Sequence, residues 1–269
     1  MSMILNRELI EQFQKKVFTW WQHHKRDLPW RETTDPYNIL VSEFMLQQTQ
    51  VIRVIEKYLS FIKRFPNIQD LANAPTSDVL TIWQGLGYNR RAVWLQEIAR
   101  TIHDQGWFPQ TPETLRKYKG IGEYSSHSIL IFAFNLDLVT IDTNIRRIFI
   151  AEGFCNEKAT NSELKEVAAQ LLPRGRSRDW HNALMDYGAL EITSKKTGIG
   201  SKGKQSRFEG SNRQLRGKIV KILTMEGLVS LKSLSNSLLI SEDKILPILK
   251  DLINDQLIEQ ENNSYKLKS

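Results

Sequence analysis

The sequence is poor in what would tie a chain together covalently or hold it in a bilayer. It contains one cysteine, Cys155, which excludes an internal disulfide and any metal cluster built on several thiolates. No apolar run reaches the roughly 18 residues needed to cross a membrane. The opening residues MSMILNRELIEQF are amphipathic and acidic, which suits a helix and not a signal peptide. A cytoplasmic location is the default expectation, with no membrane contact. Sustained apolar–polar alternation, the mark of a half-buried strand, is missing before residue 215. That absence points to an all-α fold over most of the chain.

What is present is ordinary for a folded protein: 269 residues, 41% hydrophobic and 25% charged, enough for one large domain or two smaller ones. The net charge of +7 is concentrated. Between Lys195 and Lys218 eight basic residues face a single acid, Glu209, so this one segment matches the whole excess. Its Gly, Ser and Lys content suits a solvated linker, and its charge suits an electrostatic footprint for a polyanion. Both readings stand at this point.

Helical periodicity runs through residues 4–25 and breaks at Leu28-Pro-Trp-Arg31. Asp35-Pro36 reads as an N-cap and first turn, opening a helix to about Leu46 with Leu40, Val41 and Phe44 on its core face. Glu43 sits one position off that face, where a carboxylate ordinarily points to solvent. The polar run Gln47-Gln48-Thr49-Gln50 interrupts, and helices are expected over 51–65, from a Thr76–Asp78 cap to Trp83, over 92–105, 123–134, 144–154, 161–172 and 179–192. Gly120 and Gly122 flank Ile121, so the backbone there can take positive φ and approach another molecule closely. Asp142 and Asn144 follow, where the apolar helix after that hairpin meets the next one. Asp142 alone reads equally as an N-cap. Beyond the basic segment, helices at 213–225, 231–239 and 241–256 and a hairpin at 257–268 suggest a small winged-helix-like module. Its third helix carries Glu242, Asp243, Asp251 and Asp255 against Lys244 and Lys250. That sign is wrong for a phosphate backbone and favours a packing role, and Pro247 is a candidate kink.

Leu28-Pro-Trp-Arg31, Ser42-Glu43-Phe-Met-Leu-Gln-Gln-Thr-Gln50, Gly85-Leu-Gly-Tyr88, Gly120-Ile-Gly122 and Ile141-Asp-Thr-Asn-Ile145 occur together and in this order. The set resembles the helix-hairpin-helix DNA glycosylases, and within them the MutY-type adenine glycosylases, over about residues 5–195. The resemblance implies a catalytic domain over 1–195 made of two helical subdomains, 28–140 and 1–27 with 141–195, with the active site between them. A basic Gly/Ser/Lys linker follows at 196–212, and then the α+β module at 213–269. It also implies base excision repair: hydrolysis of the N-glycosidic bond of adenine mispaired with 8-oxoguanine or guanine in double-stranded DNA, after the base is flipped out. A monomer is expected, nucleoid-associated if the source is prokaryotic.

The resemblance assigns roles by position. Glu43 matches the general acid that protonates adenine, which requires its pKa to rise by roughly two units from about 4.3, on the order of 2.7 kcal/mol; desolvation beside Leu40 and Phe44 is the means. Asp142 matches the carboxylate that stabilises the oxocarbenium-like sugar, with Tyr124 and Asn144 assisting it and the attacking water. Tyr124 stands where strand-cutting relatives carry a Schiff-base lysine, so no β-lyase activity is expected; some thymine-removing relatives also carry tyrosine here. Trp30, Arg31, Leu46 and Asp186 match the pocket for the base. Gln47, Gln48, Thr49, Leu86, Gly87 and Tyr88 match residues around the vacated base pair. Gly120, Ile121 and Gly122 would give backbone N–H groups to phosphates, and their carbonyls could hold a cation.

Tyr118-Lys119 stands where the family usually has Leu-Pro before the first hairpin glycine, and there are two larger departures from the family pattern. Four cysteines that hold a [4Fe–4S] cluster in most MutY-type enzymes have no counterpart here, so no cluster, no metal ligand set and no other cofactor is expected. The family's β-rich domain for 8-oxoguanine does not fit residues 213–269, so preference for 8-oxoguanine over guanine would rest on Gln48, Thr49, Leu86 and Tyr88. The alternatives are a thymine or uracil mismatch glycosylase on the same scaffold, or a non-catalytic DNA-binding regulatory protein; a binder needs neither Glu43 nor Asp142. If the basic segment takes over the cluster loop's contact with DNA, reversing the charge of Lys202, Lys204 and Arg207 should weaken DNA binding and flatten its dependence on salt. Affinity measured across a salt series tests this, and unchanged affinity would leave the segment a linker.

Overall fold

The computed structural model describes residues 4–200, 203 and 207–268; Lys202 and Lys204 lie outside them. Helix α1 (Arg7–His24) starts where the Asn6 side chain accepts from the Glu8 amide and ends with His23 and His24 in its last turn, the polarity that suits a helix dipole. A 3₁₀ turn follows at Pro29–Arg31. Helix α2 (Pro36–Leu46) opens on proline, and Asp35 accepts from the amides of Tyr37 and Asn38, as the Asp-Pro pair predicts. Then come α3 (Val51–Arg64), α4 (Ile68–Asn73), α5 (Thr76–Trp83), α6 (Arg90–Gln105), α7 (Pro112–Leu115), α8 (Glu123–Phe134), α9 (Thr143–Ala151), α10 (Asn161–Leu171), α11 (Ser177–Leu190) and α12 (Ser194–Thr197). The last part of the chain holds α13 (Asn212–Glu226), β1 (Val229–Ser230), α14 (Leu231–Leu238), α15 (Glu242–Asn254), β2 (Ile258–Glu261) and β3 (Ser264–Leu267). Among the described residues no strand precedes Val229, and no helix is long and apolar enough to cross a membrane.

Three local expectations change. The helix expected from a Thr76–Asp78 cap starts at Thr76 itself, after Pro75; Thr76 is buried and its hydroxyl donates to Gln96 Oε1 at 2.8 Å instead of capping. Gln96, also buried, donates on to the carbonyls of Leu71 and Ala74, so one amide binds α6 to the end of α4, a helix the sequence reading passed over. Helix α15 runs unbroken through Pro247, whose missing N–H leaves one ladder bond unmade. Strand β1, two residues long, is too short for any alternation to show.

The chain divides into two compact units, and the cut differs from the one expected at residues 27/28 and 140/141. The first unit takes the described residues of Met1–Ile39, Gln110–Lys117 and Ile121–Lys204. Its core joins Phe13 and Val17 of α1, Ile145, Ile148 and Phe149 of α9, Leu164 and Leu171 of α10, and Trp180 and Leu184 of α11. Helix α8 falls here because Ile131, Phe132 and Ala133 pack with Leu138 and with Met185 of α11. Arg178 of α11 also donates to the terminal carbonyls of α8, Phe132 O at 2.7 Å and Ala133 O at 2.9 Å, which a helix end must otherwise lose to water.

The second unit takes Leu40–Pro109, Tyr118–Gly120 and the described residues of Gln205–Ser269. Its helical part packs α4 and α5 against α6 and α3 against α5, with Phe61, Phe65, Leu80, Trp83, Leu95 and Ile98 fully enclosed. The module expected to stand apart at 213–269 belongs to this unit. Its sheet has the order β1-β3-β2, antiparallel throughout, which with α13, α14 and α15 is the arrangement of a winged helix. Ile245, Ile248, Leu249 and Leu252 line the buried side of α15.

One buried titratable group bears on stability. His181 of α11 is enclosed; its Nδ1 lies 2.8 Å from Ser177 O, and its Nε2 accepts from the Thr140 amide at 3.4 Å. Burial pushes its pKa down to about 4 from 6.5. The unfolded chain therefore binds a proton below pH 6.5 that the folded chain refuses until about pH 4, so stability rises with pH across that window. Denaturant unfolding at pH 7 and near pH 4 should show about 3 kcal/mol lost to this histidine, and His181→Gln should remove most of the difference.

Candidate nucleic-acid and base-excision site

In the second unit the candidate residues gather around Arg91. Helix α6 begins with Arg90 and Arg91, two cations in a first turn, where the helix dipole disfavours them. Arg91 is nevertheless buried. Its Nη1 donates to Phe44 O at 2.6 Å, Met45 O at 3.3 Å and Gln47 O at 2.6 Å. Its Nη2 donates to Thr49 Oγ1 at 3.2 Å, Leu86 O at 3.3 Å and Gly87 O at 3.1 Å. The first set caps the carbonyl end of α2, where a cation is favoured, and the second holds the turn before α6. Burial lowers the Arg91 pKa to about 10, against the raising charge of Tyr88, and no carboxylate pairs with it among the described residues.

The two turns so joined carry the residues expected to meet the vacated base pair. Gln48 is exposed at φ 55 and Tyr88 half-buried at φ 48. A side chain held in the left-handed region costs about 1–3 kcal/mol and persists only where its surroundings over-determine it. Arg91 supplies that determination. Thr49 is tied down, its Oγ1 lying 3.3 Å from Gln47 O. Leu86 is buried, so its carbonyl serves Arg91 while its side chain packs inside the protein. Gln47 donates to Gly120 O at 3.0 Å, which makes it a brace for the hairpin and occupies one carbonyl that a cation could have used.

The two hairpin glycines differ. Gly120 has φ +81, and a Cβ there would meet the Trp94 ring at 2.6 Å and Phe44 at 3.2 Å; only glycine fits. Gly122 was expected to use the same freedom, but lies at φ −90, ψ −172, extended backbone open to any residue, and its Cβ would meet nothing within 4 Å. Ile121 between them is buried. Glu43 and Leu46 stand on α2; Glu43 is only 8% exposed, with Leu40, Val41, Phe44 and Met45 around it fully enclosed. The solvated position that spacing alone suggested is not the one observed.

In the first unit Trp30 and Arg31 occupy the Pro29–Arg31 turn. Arg31 meets the Asp186 carboxylate with both terminal nitrogens, at 2.7 and 2.9 Å. Arg26 adds Nε at 2.5 Å and its amide at 3.0 Å, and Trp21 Nε1 donates at 3.0 Å. Asp186 is fully buried. Burial alone would raise its pKa, but the Arg31 hydrogen bonds and charge, with Arg26, hold it below the ordinary carboxylate range. Both oxygens are taken, so Asp186, expected to line the pocket, instead fixes the guanidinium of Arg31.

Asp142 shows the opposite balance. It caps α9, its Oδ1 accepting from the Ile145 amide at 2.7 Å, while Asn144 Nδ2 donates to Oδ2 at 3.1 Å. The sequence allows Asp142 to be both an N-cap and a catalytic carboxylate; the structure shows the cap engaging one oxygen and an amide side chain the other. Asn144 is held in turn by Arg147, whose Nη2 donates to Asn144 Oδ1 at 2.7 Å and whose Nε donates to Ile192 O at 3.0 Å. A Cβ on Gly188 would meet Asn144 Cβ at 2.7 Å, which explains glycine inside α11. Desolvation raises the Asp142 pKa, against the amides of Ile145 and Asn144 and the charge of Arg147. Tyr124 lies exposed in the first turn of α8. Arg207, exposed, pairs with Glu209 at 3.1 Å.

A cysteine-held cluster does not fit these residues. Cys155 is half-buried between α9 and α10, and burial raises its pKa, away from the thiolate a cluster requires; one thiolate cannot hold a cluster. Among the described residues no group of three or more His, Cys, Asp or Glu is placed to hold a metal ion. The segment after α11 is held by hydrogen bonds, Arg147 to Ile192 O and Arg146 to Gly200 O at 3.4 Å. The sequence reading passed over Arg26, Arg91 and Arg147; paired arginines opening α6 were the available signal, because a helix start is a poor place for cations. Arg91→Met should leave several buried carbonyls unpaired and lower unfolding free energy by about 3 kcal/mol or more. Arg91→Lys, with the charge but no planar fork, should recover less than half of that in denaturant melts.

Residues 41–174 match the family described as HhH-GPD superfamily base excision DNA repair protein. The chain is 34% identical over 231 residues to an adenine DNA glycosylase of Mycolicibacterium smegmatis, covering 77% of this chain and 79% of that one. It is 29% identical over 190 residues to a thymine/uracil-DNA glycosylase of Methanothermobacter thermautotrophicus, covering 68% and 86%. Among solved structures, a thermostable thymine-DNA glycosylase superposes with a TM-score of 0.62 at 27% identity, covering 71% of this chain and 94% of that one. The helices, the glycine hairpin and these likenesses agree, and the chain belongs to the helix-hairpin-helix DNA glycosylases of base excision repair, with MutY-type adenine glycosylases among its relatives.

Proposed function

We propose that this glycosylase removes adenine mispaired with 8-oxoguanine or guanine, without cutting the strand and without an iron–sulfur cluster. The burial of Glu43 on α2 carries the reading, because a general acid for base release has to be shielded from bulk water and held in place for a single proton transfer. Glu43 donates that proton to N7 of the flipped adenine. The bond from C1′ to N9 breaks with its electron pair passing to the base, leaving an oxocarbenium-like sugar. Asp142 faces that charge as a carboxylate held by the Ile145 amide and Asn144. Water adds at C1′ and gives its proton to a carboxylate, completing hydrolysis with adenine and an abasic site as products.

Support for adenine comes from the Gln47–Gln50 segment and from the named relatives, of which the adenine glycosylase matches at the higher identity. Tyr124 offers a phenol where a Schiff base would need an amine, so strand cleavage has no nucleophile at that position. Trp30, Arg31 and Leu46 serve the base pocket, with Asp186 acting through Arg31. Gly122, which nothing inside the protein requires to be glycine, suits close approach of a phosphate to its amide. Gln48 and Tyr88 face the unpaired partner base, and Arg207 with its basic neighbours meets phosphates.

Single-turnover base release from A:8-oxoG, A:G, T:G and U:G duplexes tests the assignment. Release is expected from the two adenine duplexes, and release from T:G or U:G alone would overturn the substrate. Glu43→Gln and Asp142→Asn should each slow release by about 10²–10⁴-fold with binding retained. Because desolvation raises the Asp142 pKa, its ionised fraction falls at higher pH than for an ordinary carboxylate. The wild-type rate should therefore decline on the acid side, and Asp142→Asn should lose that limb.

A further inference from the structure

The C-terminal module reaches a residue that the proposed function places at the partner base. Asp255, at the C-cap of α15, has a side chain only 8% exposed and pairs with two arginines, Arg216 of α13 and Arg90 at the head of α6. One carboxylate thus fastens α13 and α15 to the helix that follows the Gly85–Tyr88 turn, and α13 packs on α5 as well. This seating directs the first turn of α13 at Tyr88. Arg213 there donates Nη1 to Tyr88 Oη, and its guanidinium lies 5.3 Å from the centre of the Tyr88 ring and 5.5 Å from that of Phe208. Arg91 lies 5.5 Å from the same tyrosine ring and 5.4 Å from that of Trp83. Phe208, Arg213, Tyr88, Arg91 and Trp83 therefore form a continuous alternation of rings and guanidinium groups.

Cation–ring contacts and a charge-assisted hydrogen bond each fix orientation, and here they act on one side chain. Tyr88 also has a left-handed backbone, φ 48, which the turn alone would not sustain at low cost. Arg91 holds the turn by its carbonyls, while the tyrosine ring and hydroxyl are held by Arg213. A ring that enters a duplex beside an unpaired purine must keep its plane and height for one purine to be told from another. We propose that Arg213, backed by Phe208, positions Tyr88 for this, so that the C-terminal module determines which purine is accepted opposite the excised base. The inference rests on the proposed placement of Tyr88 at the partner base. A plain phosphate contact by Arg213 would behave differently, because phosphate contacts act alike on every partner base.

The test is single-turnover adenine release, with the full-length protein in excess, from A:8-oxoG and A:G duplexes. The quantity read is the ratio of the two rates. Arg213→Ala should change that ratio by about tenfold. Arg213→Lys should recover less than half of the change, because an ammonium lacks the planar fork. Tyr88→Phe, which keeps the ring and loses the hydroxyl, should shift the ratio in the same direction by less. The double variant should go no further than Arg213→Ala alone. Lys221→Ala, an exposed charge on the same helix, should leave the ratio unchanged. Should Arg213→Ala fail to fold, the Arg213→Lys and Tyr88→Phe ratios decide. A ratio unchanged while both rates fall together, or strictly multiplicative effects in the double variant, would overturn the inference and leave the functional reading intact. No release from either duplex by the wild type would overturn the functional reading, and this inference with it.

Discussion

The Arg91 guanidinium ties together the end of α2, the turn at Gln47–Gln50 and the turn at Gly85–Tyr88 through six hydrogen bonds from its two terminal nitrogens. The two turns have few apolar side chains with which to hold themselves, and Gln48 and Tyr88 in them adopt backbone conformations that side-chain-bearing residues avoid. A single cation aimed at several carbonyls supplies what a hydrophobic core cannot, namely directional order in a polar turn. Burial makes the arrangement stringent: an unmet donor or acceptor there costs the full desolvation of that group. Glu43, Gln47, Gln48 and Thr49 all sit on the strip that Arg91 fastens, and Gln47 extends the tie to the glycine hairpin.

Two aspartates of the first unit show how environment divides one chemistry into two. Asp186 has its burial outweighed by two arginines and is held ionised, with no oxygen to spare. Asp142 has its burial opposed by amides and by an arginine acting through Asn144, and its pKa stays raised. The first is a fixed counter-ion that orients Arg31. The second keeps a charge that its surroundings stabilise less than water would, and such a group gains most from a cation developing beside it. The proposed catalytic role therefore falls on the carboxylate with the weaker internal partners.

Helix positions were legible in the sequence because apolar spacing and the Asp35-Pro36 pair act within one turn of the residues they govern. Glu123–Phe134 is found as expected because an apolar stretch of that length has little alternative to a buried helix. The candidate residues were legible for a different reason: five short motifs in fixed order carry a family's chemistry. Gly122 and Thr76 were misjudged because glycine permits a conformation without requiring it, and a threonine before a helix can serve the core instead of the cap. The grouping of α8 with α11, and of the winged-helix module with α3–α6, depends on side chains far apart in sequence, such as Arg178 with Phe132 or Asp255 with Arg90.

By itself the sequence determined the helical class, the module at the C-terminus, the lone cysteine that leaves a cluster without ligands, and the candidates proposed as the acid, the carboxylate and the hairpin. These follow from local periodicity, from composition and from motifs. Only the tertiary structure decided which charges are buried and what meets them. It put Arg91 among carbonyls, filled Asp186 with arginines, left Asp142 with amides and brought Arg213 onto Tyr88 across 125 positions of sequence. Burial and partner choice are properties of packing between distant segments, and no local pattern in the chain encodes them.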